Sequence, residues 1–325
     1  MKKTSLLLIS CIVLASSCKK TSLNDEINIS LEDAGNFSAR KCASQEVLMQ
    51  QLKADPGLAK RMQEIEAFTA KYVNRNFEAR LVNGVYEIPV VVNVVYNTIA
   101  QNISQTQIQS QIDVLNADYA ATNSDYALTP STFQAVRSGN TNIRFVLDAV
   151  VRKSTKTKSF STNNAMKTST SGIAPTSPST KLNIWSCNLS NSVLGYAQFP
   201  GGSLSTDGVV IDDNAFGTTG TAVAPFNKGR TGTHEVGHWL NLRHIWGDAT
   251  CGNDQVGDTP LHNTANYGCP ASGHRSTCTG TPLEMTMNYM DYTDDACMYM
   301  FTAGQKARML AVFAAGGPRN SFAQP

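Results

Sequence analysis

Charge is scarce in this chain, and balanced. Asp, Glu, Lys and Arg make up 16% of the 325 residues, and 27 basic groups against 25 acidic ones leave a formal charge of +2. That balance excludes a strong electrostatic pull toward nucleic acid or acidic membranes as the basis of function. No internal repeat of solenoid length is present, and the apolar run at residues 6–14 is too short to be a permanent membrane-spanning helix. Histidine is rarer still, five in all. What is present, 41% hydrophobic residues, is enough at this length to bury one sizeable core or two smaller ones.

The opening, MKKTSLLLISCIVLASSCKK, has the parts of a secretory signal: basic Lys2 and Lys3, the apolar stretch, and small residues ahead of Cys18. Its small-small-Cys ending resembles a bacterial lipoprotein signal, in which Cys18 would carry a lipid and anchor the protein at an outer surface. Ordinary cleavage near Ser17 with release of a secreted product is the other reading. Export changes how the cysteines are read. Cys251, Cys269, Cys278 and Cys297 cluster in the last third, where an oxidising compartment permits disulfides. Four cysteines allow three pairings, and spacing does not choose among them. Cys42 and Cys187 stand alone, the usual setting of a plain buried thiol.

Residues 44–73 carry apolar side chains at helical spacing, with Ser44 as the expected N-cap and Asp55-Pro56-Gly57 as a break, so two short helices are expected. At Tyr86 the character changes. YEIPVVVNVVYN is a β-branched run of the kind buried on both faces. An amphipathic helix follows, with Ser104 as N-cap and Ile108, Ile112, Leu115 and Tyr119 on one face. NIRFVLDAVV, KLNIWSC, VLGYAQFP and DGVVIDD supply four more strands, and the Ser/Thr-rich stretch 153–180 between them reads as a long surface excursion. Five strands, one backing helix and a second helix bearing histidines describe an α/β N-terminal lobe. Beyond Ile245 regular structure is sparse, except for a helix opened by a Thr302/Gln305 capping box and closed by Gly316-Gly317-Pro318.

Three of the five histidines fall in HEVGHWLNLRH, residues 234–244. Positions i and i+4 share one helical face, so His234 and His238 can point at one metal. Glu235 then flanks the metal, placed to take a proton from a water bound there. Zinc suits two imidazoles, and a catalytic zinc needs a third protein ligand with one position open. His244 lies too far along for a straight helix to deliver, so the helix must end and turn back. Asn241 is the residue able to make that turn, since Asn tolerates the left-handed conformation best after Gly.

HEVGHWLNLRHIWGD resembles the extended zinc motif of the metzincin peptidases, and its Val-Gly-His-Trp-Leu wording is similar to the pappalysin family, the cytophagalysin and ulilysin-like enzymes. That family normally has Gly where this chain has Asn241. NYMDYTDDACMYMFTAGQ resembles the family's Met-turn segment, and LGYAQFP and DGVVIDDNAFG resemble others, over about residues 85–315 in all. The resemblance implies a metzincin fold: a five-stranded mixed sheet with a backing helix and an active-site helix above an irregular C-terminal lobe. It implies a secreted zinc endopeptidase made as a zymogen, hydrolysing peptide bonds through a zinc-bound water with Glu235 as general base. Met290 would floor the zinc site, and Tyr292 would steady the developing oxyanion.

The same resemblance implies further assignments. Asp295, next to Asp294, would lie at the base of the pocket for the residue after the scissile bond and favour Arg or Lys there. The disulfides would cross, Cys251 with Cys278 and Cys269 with Cys297. NDQVGDTP gathers Asp254, Asp258 and Thr259 with carbonyl-rich turns about Val256, oxygen ligands that suit calcium, and similar family members carry calcium here. SARKCASQE resembles a cysteine-switch pro-segment, in which Cys42 would seal the zinc and Arg40 would lower the thiol pKa or anchor the loop. The expected organisation is a signal peptide at 1–17, a pro-segment at 18–80 with Arg75 and Arg80 as candidate cut points, and a catalytic domain at 81–325 divided into lobes 81–241 and 242–325. The expected partners are protein or peptide substrates, with no nucleic acid, and a membrane only through Cys18. Two rivals stand beside this reading. A gluzincin-like hydrolase takes a distant Glu as third ligand, a place His244 fills here. A catalytically silent surface lipoprotein would keep the fold as a binding module, and the presence of Glu235 argues against it.

Overall fold

The run of β-branched residues after Tyr86 forms β1 (Tyr86–Tyr96), the second strand of a five-stranded sheet. The computed structural model describes residues 39–73 and 84–323. The remaining strands are β2 (Ile143–Ser154), β3 (Leu182–Cys187), β4 (Gly195–Ala197) and β5 (Val209–Asp212). Their order is β2-β1-β3-β5-β4, with β4 antiparallel at the edge and the other pairings parallel. β1 is buried on both faces because both faces are covered. Val90, Val92 and Val94 join the main core, while Val95 faces a second cluster with Trp185, Cys187, Tyr196 and Val210. Residues 153–180 do more than skirt the surface: Phe160, Met166 and Ile173 fill that second cluster.

The helices are α1 (Ser44–Ala54), α2 (Leu58–Val73), α3 (Gln105–Tyr119), α4 (Arg230–Trp239) and α5 (Ala303–Ala311). α1 and α2 break at Asp55-Pro56-Gly57. One expectation is corrected. The N-cap of α1 is Ala43, and Ser44 is drawn elsewhere because its hydroxyl donates to Glu235 of α4. α3 packs Ile108, Ile112, Leu115 and Tyr119 into the core and turns two buried glutamines toward the chain leading into α4. Gln107 Nε2 donates to the carbonyls of Asp213 and Phe216, and Gln111 Nε2 donates to the carbonyl of Gly229, the residue that opens α4. α3 thereby fixes where α4 begins. Arg230, pairing with Asp118 and Asp125, ties the same point down.

The C-terminal third is held mainly by loops. Thr302 and Gln305 form the capping box of α5. Disulfides join Cys251 to Cys278 and Cys269 to Cys297. Arg319 returns to α4, pairing with Asp207 and donating to the carbonyl of Trp239.

Candidate metal centre and cleft

α4 is buried along its whole length, so His234, Glu235 and His238 leave it inside the protein. The helix stops at Trp239. Asn241 takes φ 72°, and Leu242 N donates back to the carbonyl of Gly237 at 2.9 Å. This left-handed turn brings His244 back over the helix. The Nε2 atoms of His234 and His244 each lie 3.1 Å from that of His238.

These short distances are not hydrogen bonds between rings. Each Nδ1 already has an acceptor: the carbonyl of Tyr289 at 2.7 Å for His234, the carbonyl of Leu242 at 2.8 Å for His238, and the Asp248 carboxylate at 2.5 Å for His244. With the Nδ1 side of each ring committed to an acceptor, the Nε2 atoms are turned toward one another. For His234 and His238 protonation offers no escape. Burial, with the neighbouring imidazoles, pushes His234 well below its ordinary value, and burial with His244 pushes His238 down to about 3. Three convergent lone pairs with fixed tautomers suit a divalent cation, and three imidazoles suit zinc.

Met290 lies against α4, fully buried. A Cβ on Gly237 would stand 2.5 Å from its sulfur, so the glycine between the two helical histidines leaves the room that Met290 occupies. Trp246 stacks on His244 with centroids 4.3 Å apart and the planes 7° from parallel.

Five consecutive residues, Arg40 to Ser44, run through the cleft. The chain at 41–43 adds to the free edge of β4, with Ala43 N donating to the carbonyl of Gly195 and Leu194 N donating to the carbonyl of Lys41. Cys42 Sγ and one nitrogen from each of the three histidines lie within 4.8 Å of one another. Glu235 Oε2 accepts from the Ser44 hydroxyl at 2.9 Å and from the Cys42 thiol at 3.3 Å, and burial lifts this carboxyl to about 7. Tyr292 donates its hydroxyl proton to the carbonyl oxygen of Cys42 at 3.0 Å.

Arg40 enters a pocket beside α4. Its Nη2 meets Asp295 at 2.5 Å, Nη1 donates to Thr231 Oγ1 at 3.1 Å, Nε donates to the carbonyl of Thr293 at 3.1 Å, and the guanidinium lies 5.0 Å from the ring centre of Phe226. Of its two expected roles, anchoring the loop is the one this geometry fits. The thiol of Cys42 is raised, not lowered, by burial and by Glu235.

The sequence offered Ser44 only as a helix cap and gave no role to Thr231, Phe226 or Asp248. Their signal was weak, because small hydroxyls and single acids mark no motif on their own. The expected calcium ligands divide. Asp254 accepts from Val256 N at 3.0 Å and from the Thr259 hydroxyl at 2.9 Å, whereas the Asp258 carboxylate turns to α5 and accepts from the Thr302 hydroxyl and Gly304 N at 2.7 and 2.8 Å. Cys187 is buried at the end of β3, unpaired, among apolar neighbours.

Residues 182–314 match the family profile described as pregnancy-associated plasma protein-A. An extracellular metalloprotease of Verticillium alfalfae is 33% identical over 237 residues, 69% of this chain and 77% of that protein. The chain belongs to the pappalysin family. Among solved structures, a promirolysin mutant of Tannerella forsythia is 42% identical with a TM-score of 0.79, covering 87% of this chain and 97% of that one. Mature mirolysin of the same organism, in complex with a cleaved peptide, is 47% identical with a TM-score of 0.71, covering 73% of this chain and 95% of that one. This pappalysin is therefore an extracellular zinc metalloprotease with the metzincin fold.

Proposed function

We propose that the chain is exported as a latent endopeptidase that prefers Arg or Lys after the scissile bond, with 1–17 as signal peptide, 18–80 as pro-segment and 81–325 as catalytic domain in lobes 81–241 and 242–325. Cys18, Arg75 and Arg80 lie outside the described residues, so lipidation and the cut points rest on the sequence. The observation that carries the reading is the run from Arg40 to Ser44, which engages the histidine nitrogens, Glu235, Tyr292, the β4 edge and Asp295 at once.

His234, His238 and His244 would hold the zinc. When bound, it would polarise the scissile carbonyl and acidify a water. Glu235 takes the proton from the attacking water and passes it to the leaving amine. A carboxyl raised to about 7 by burial shows how dry this position is while the cleft is filled. Tyr292 already reaches a carbonyl oxygen in the cleft, and the same hydroxyl would donate to the oxyanion as charge develops. A substrate's basic side chain would take the place of Arg40 against Asp295. Cys42 would keep the centre silent until the pro-segment leaves. A buried thiol beside a carboxylate keeps its proton, so a thiolate there needs a cation on the three imidazoles. Calcium at Asp254, Val256 and Thr259 belongs to the same proposal, supported by the convergence of their oxygens.

The test is cleavage of a proteome-derived peptide library, read by mass spectrometry, alongside zinc content. The matured protein should cut before Arg and Lys, and chelation should abolish cutting. Glu235→Ala should keep its zinc and lose hydrolysis; near wild-type turnover in that variant ends the general-base assignment. A Cys42→Ala precursor should be active before cleavage or mature faster. If it stays as silent as wild type and matures at the same rate, Cys42 is no lock.

A further inference from the structure

Blocking the cleft takes five residues, yet the segment continues for about thirty more and is built into the catalytic body along its length. Val47 of α1 packs with Trp185 and Tyr196, and Leu48 with Leu58 and Phe199. Gln51 Nε2 donates to Gln198 Oε1 at 2.8 Å, and Arg61 Nε donates to the carbonyl of Gly201 at 2.8 Å. The glycines at 201 and 316 leave their backbones bare where Ile65 and Phe68 of α2 lie against them.

The strongest of these contacts is an ion pair. Both carboxylate oxygens of Glu66 accept from Arg308 of α5, at 2.7 and 2.9 Å, and the arginine side chain is only 3% exposed. The same guanidinium donates to the carbonyls of Gln255 and Asn241 at 3.2 Å each. Asn241 Nδ2 in turn reaches Thr69 Oγ1 of α2 at 3.4 Å. α2 thus holds the turn that delivers His244, directly through Thr69 and through Arg308, and none of these contacts involves residues 74–83.

We propose that the segment 39–73 remains on the catalytic body after the chain is cut between residues 74 and 83, and acts as a non-covalent inhibitor, so that cutting and activation are separate events. The surface that holds it is formed by Phe199, Gly201, Asn241, Arg308 and Gly316, and its occupant is this segment of the same chain. The inference rests on the reading of Arg40 to Ser44 as the latent occupant. A covalent link supplies an effective concentration on the order of millimolar and no contact of its own. Its loss therefore frees only a segment whose contacts are weak, and a bidentate pair from a half-buried Glu66 to a buried Arg308, added to the apolar contacts of Leu48 and Leu58 with Phe199, is not a weak hold.

The test uses the full precursor with residues 76–81 replaced by the recognition sequence of an unrelated protease, cut to completion and run on gel filtration at micromolar concentration. The two pieces should co-elute, and the cut sample should stay silent until the N-terminal piece, which carries residues 39–73, is stripped away. Adding the stripped fragment back should restore silence. Glu66→Ala should leave the uncut precursor folded, by thermal midpoint, and should release the fragment at least tenfold faster after the cut. Separate elution of the wild-type fragment immediately after cutting overturns the proposal, as does an unchanged release rate in Glu66→Ala. Co-elution is read without any activity. If the pieces co-elute and the stripped catalytic part is still inert, the endopeptidase reading fails while the retained segment stands.

Discussion

Gly237 stands between His234 and His238 on α4, and the room its side chain would need is taken by the sulfur of Met290, 2.5 Å from where a Cβ would lie. Two effects oppose each other in Gly237→Ala. Alanine in a helix interior gains about 1 kcal/mol over glycine, while overpacking a filled core costs about 1–3 kcal/mol. Met290 is buried and its backbone is pinned on both sides, to Asn288 and to Ile245. Overpacking should win, lowering the thermal midpoint by a few degrees and zinc occupancy with it. A higher midpoint would show that Met290 has room to move. Thr231 decides a finer question. Arg40 uses three different nitrogens against three acceptors, whereas an ammonium brings a single nitrogen to the pocket. Thr231→Val should therefore lower the Arg-over-Lys preference roughly tenfold, the loss of one hydrogen bond to a charged group. An unchanged ratio in peptide kinetics would remove Thr231 from the pocket. At this scale the histidines and Asn241 were legible because ligand spacing and turn chemistry are local. The contacts of Ser44 with Glu235 and of Arg40 with Asp295 were not, since the partners lie 191 and 255 residues apart.

The elements were legible where pattern and punctuation agree. β1 announced itself by its β-branched run, the break between α1 and α2 by Asp-Pro-Gly, and α5 by Thr302 and Gln305. Strand order was not legible, because periodicity says which face of a strand is buried and nothing about its neighbour. The role of residues 153–180 was hidden for a related reason: a few apolar residues scattered among Ser and Thr carry no period. Asp258 shows the same limit. Its composition suggested an ion ligand, and its carboxylate serves the first turn of α5, accepting from Gly304 N and the Thr302 hydroxyl, where negative charge is favoured. Asp258→Ala should cost about 1 kcal/mol, the usual worth of a cap, and the drop in thermal midpoint should be the same with and without added calcium. A drop that appears only with calcium would return Asp258 to ion binding.

The whole molecule is asymmetric in what holds it together. The sheet and four α-helices organise the described chain up to Trp239, whereas beyond it α5 is the one α-helix among the described residues, and that part adds Met285, Tyr289, Met300 and Phe313 to the main core and is tied by two interlocked disulfides. The bridges close loops of 27 and 28 residues, so loop-closure entropy assigns each a similar stabilisation, about 3–4 kcal/mol. Their surroundings differ. Cys251–Cys278 is tied to the loop at 262–263, with Cys251 N bonded to the carbonyls of His262 and Asn263. Cys269–Cys297 borders the pocket, since Asp294 N donates to the carbonyl of Gly268, Cys297 N donates to the carbonyl of Asp294, and Asp295 lies between. The two should separate by experiment. Serine at both positions of either bridge should lower the thermal midpoint by a comparable amount, about 5–15 °C. Only the Cys269→Ser, Cys297→Ser enzyme should also show a raised KM for peptides with Arg after the scissile bond, with kcat largely kept, because the loop that aims Asp295 is then free to shift. Equal changes in KM for the two double variants would mean that the second bridge stabilises the lobe without shaping the pocket.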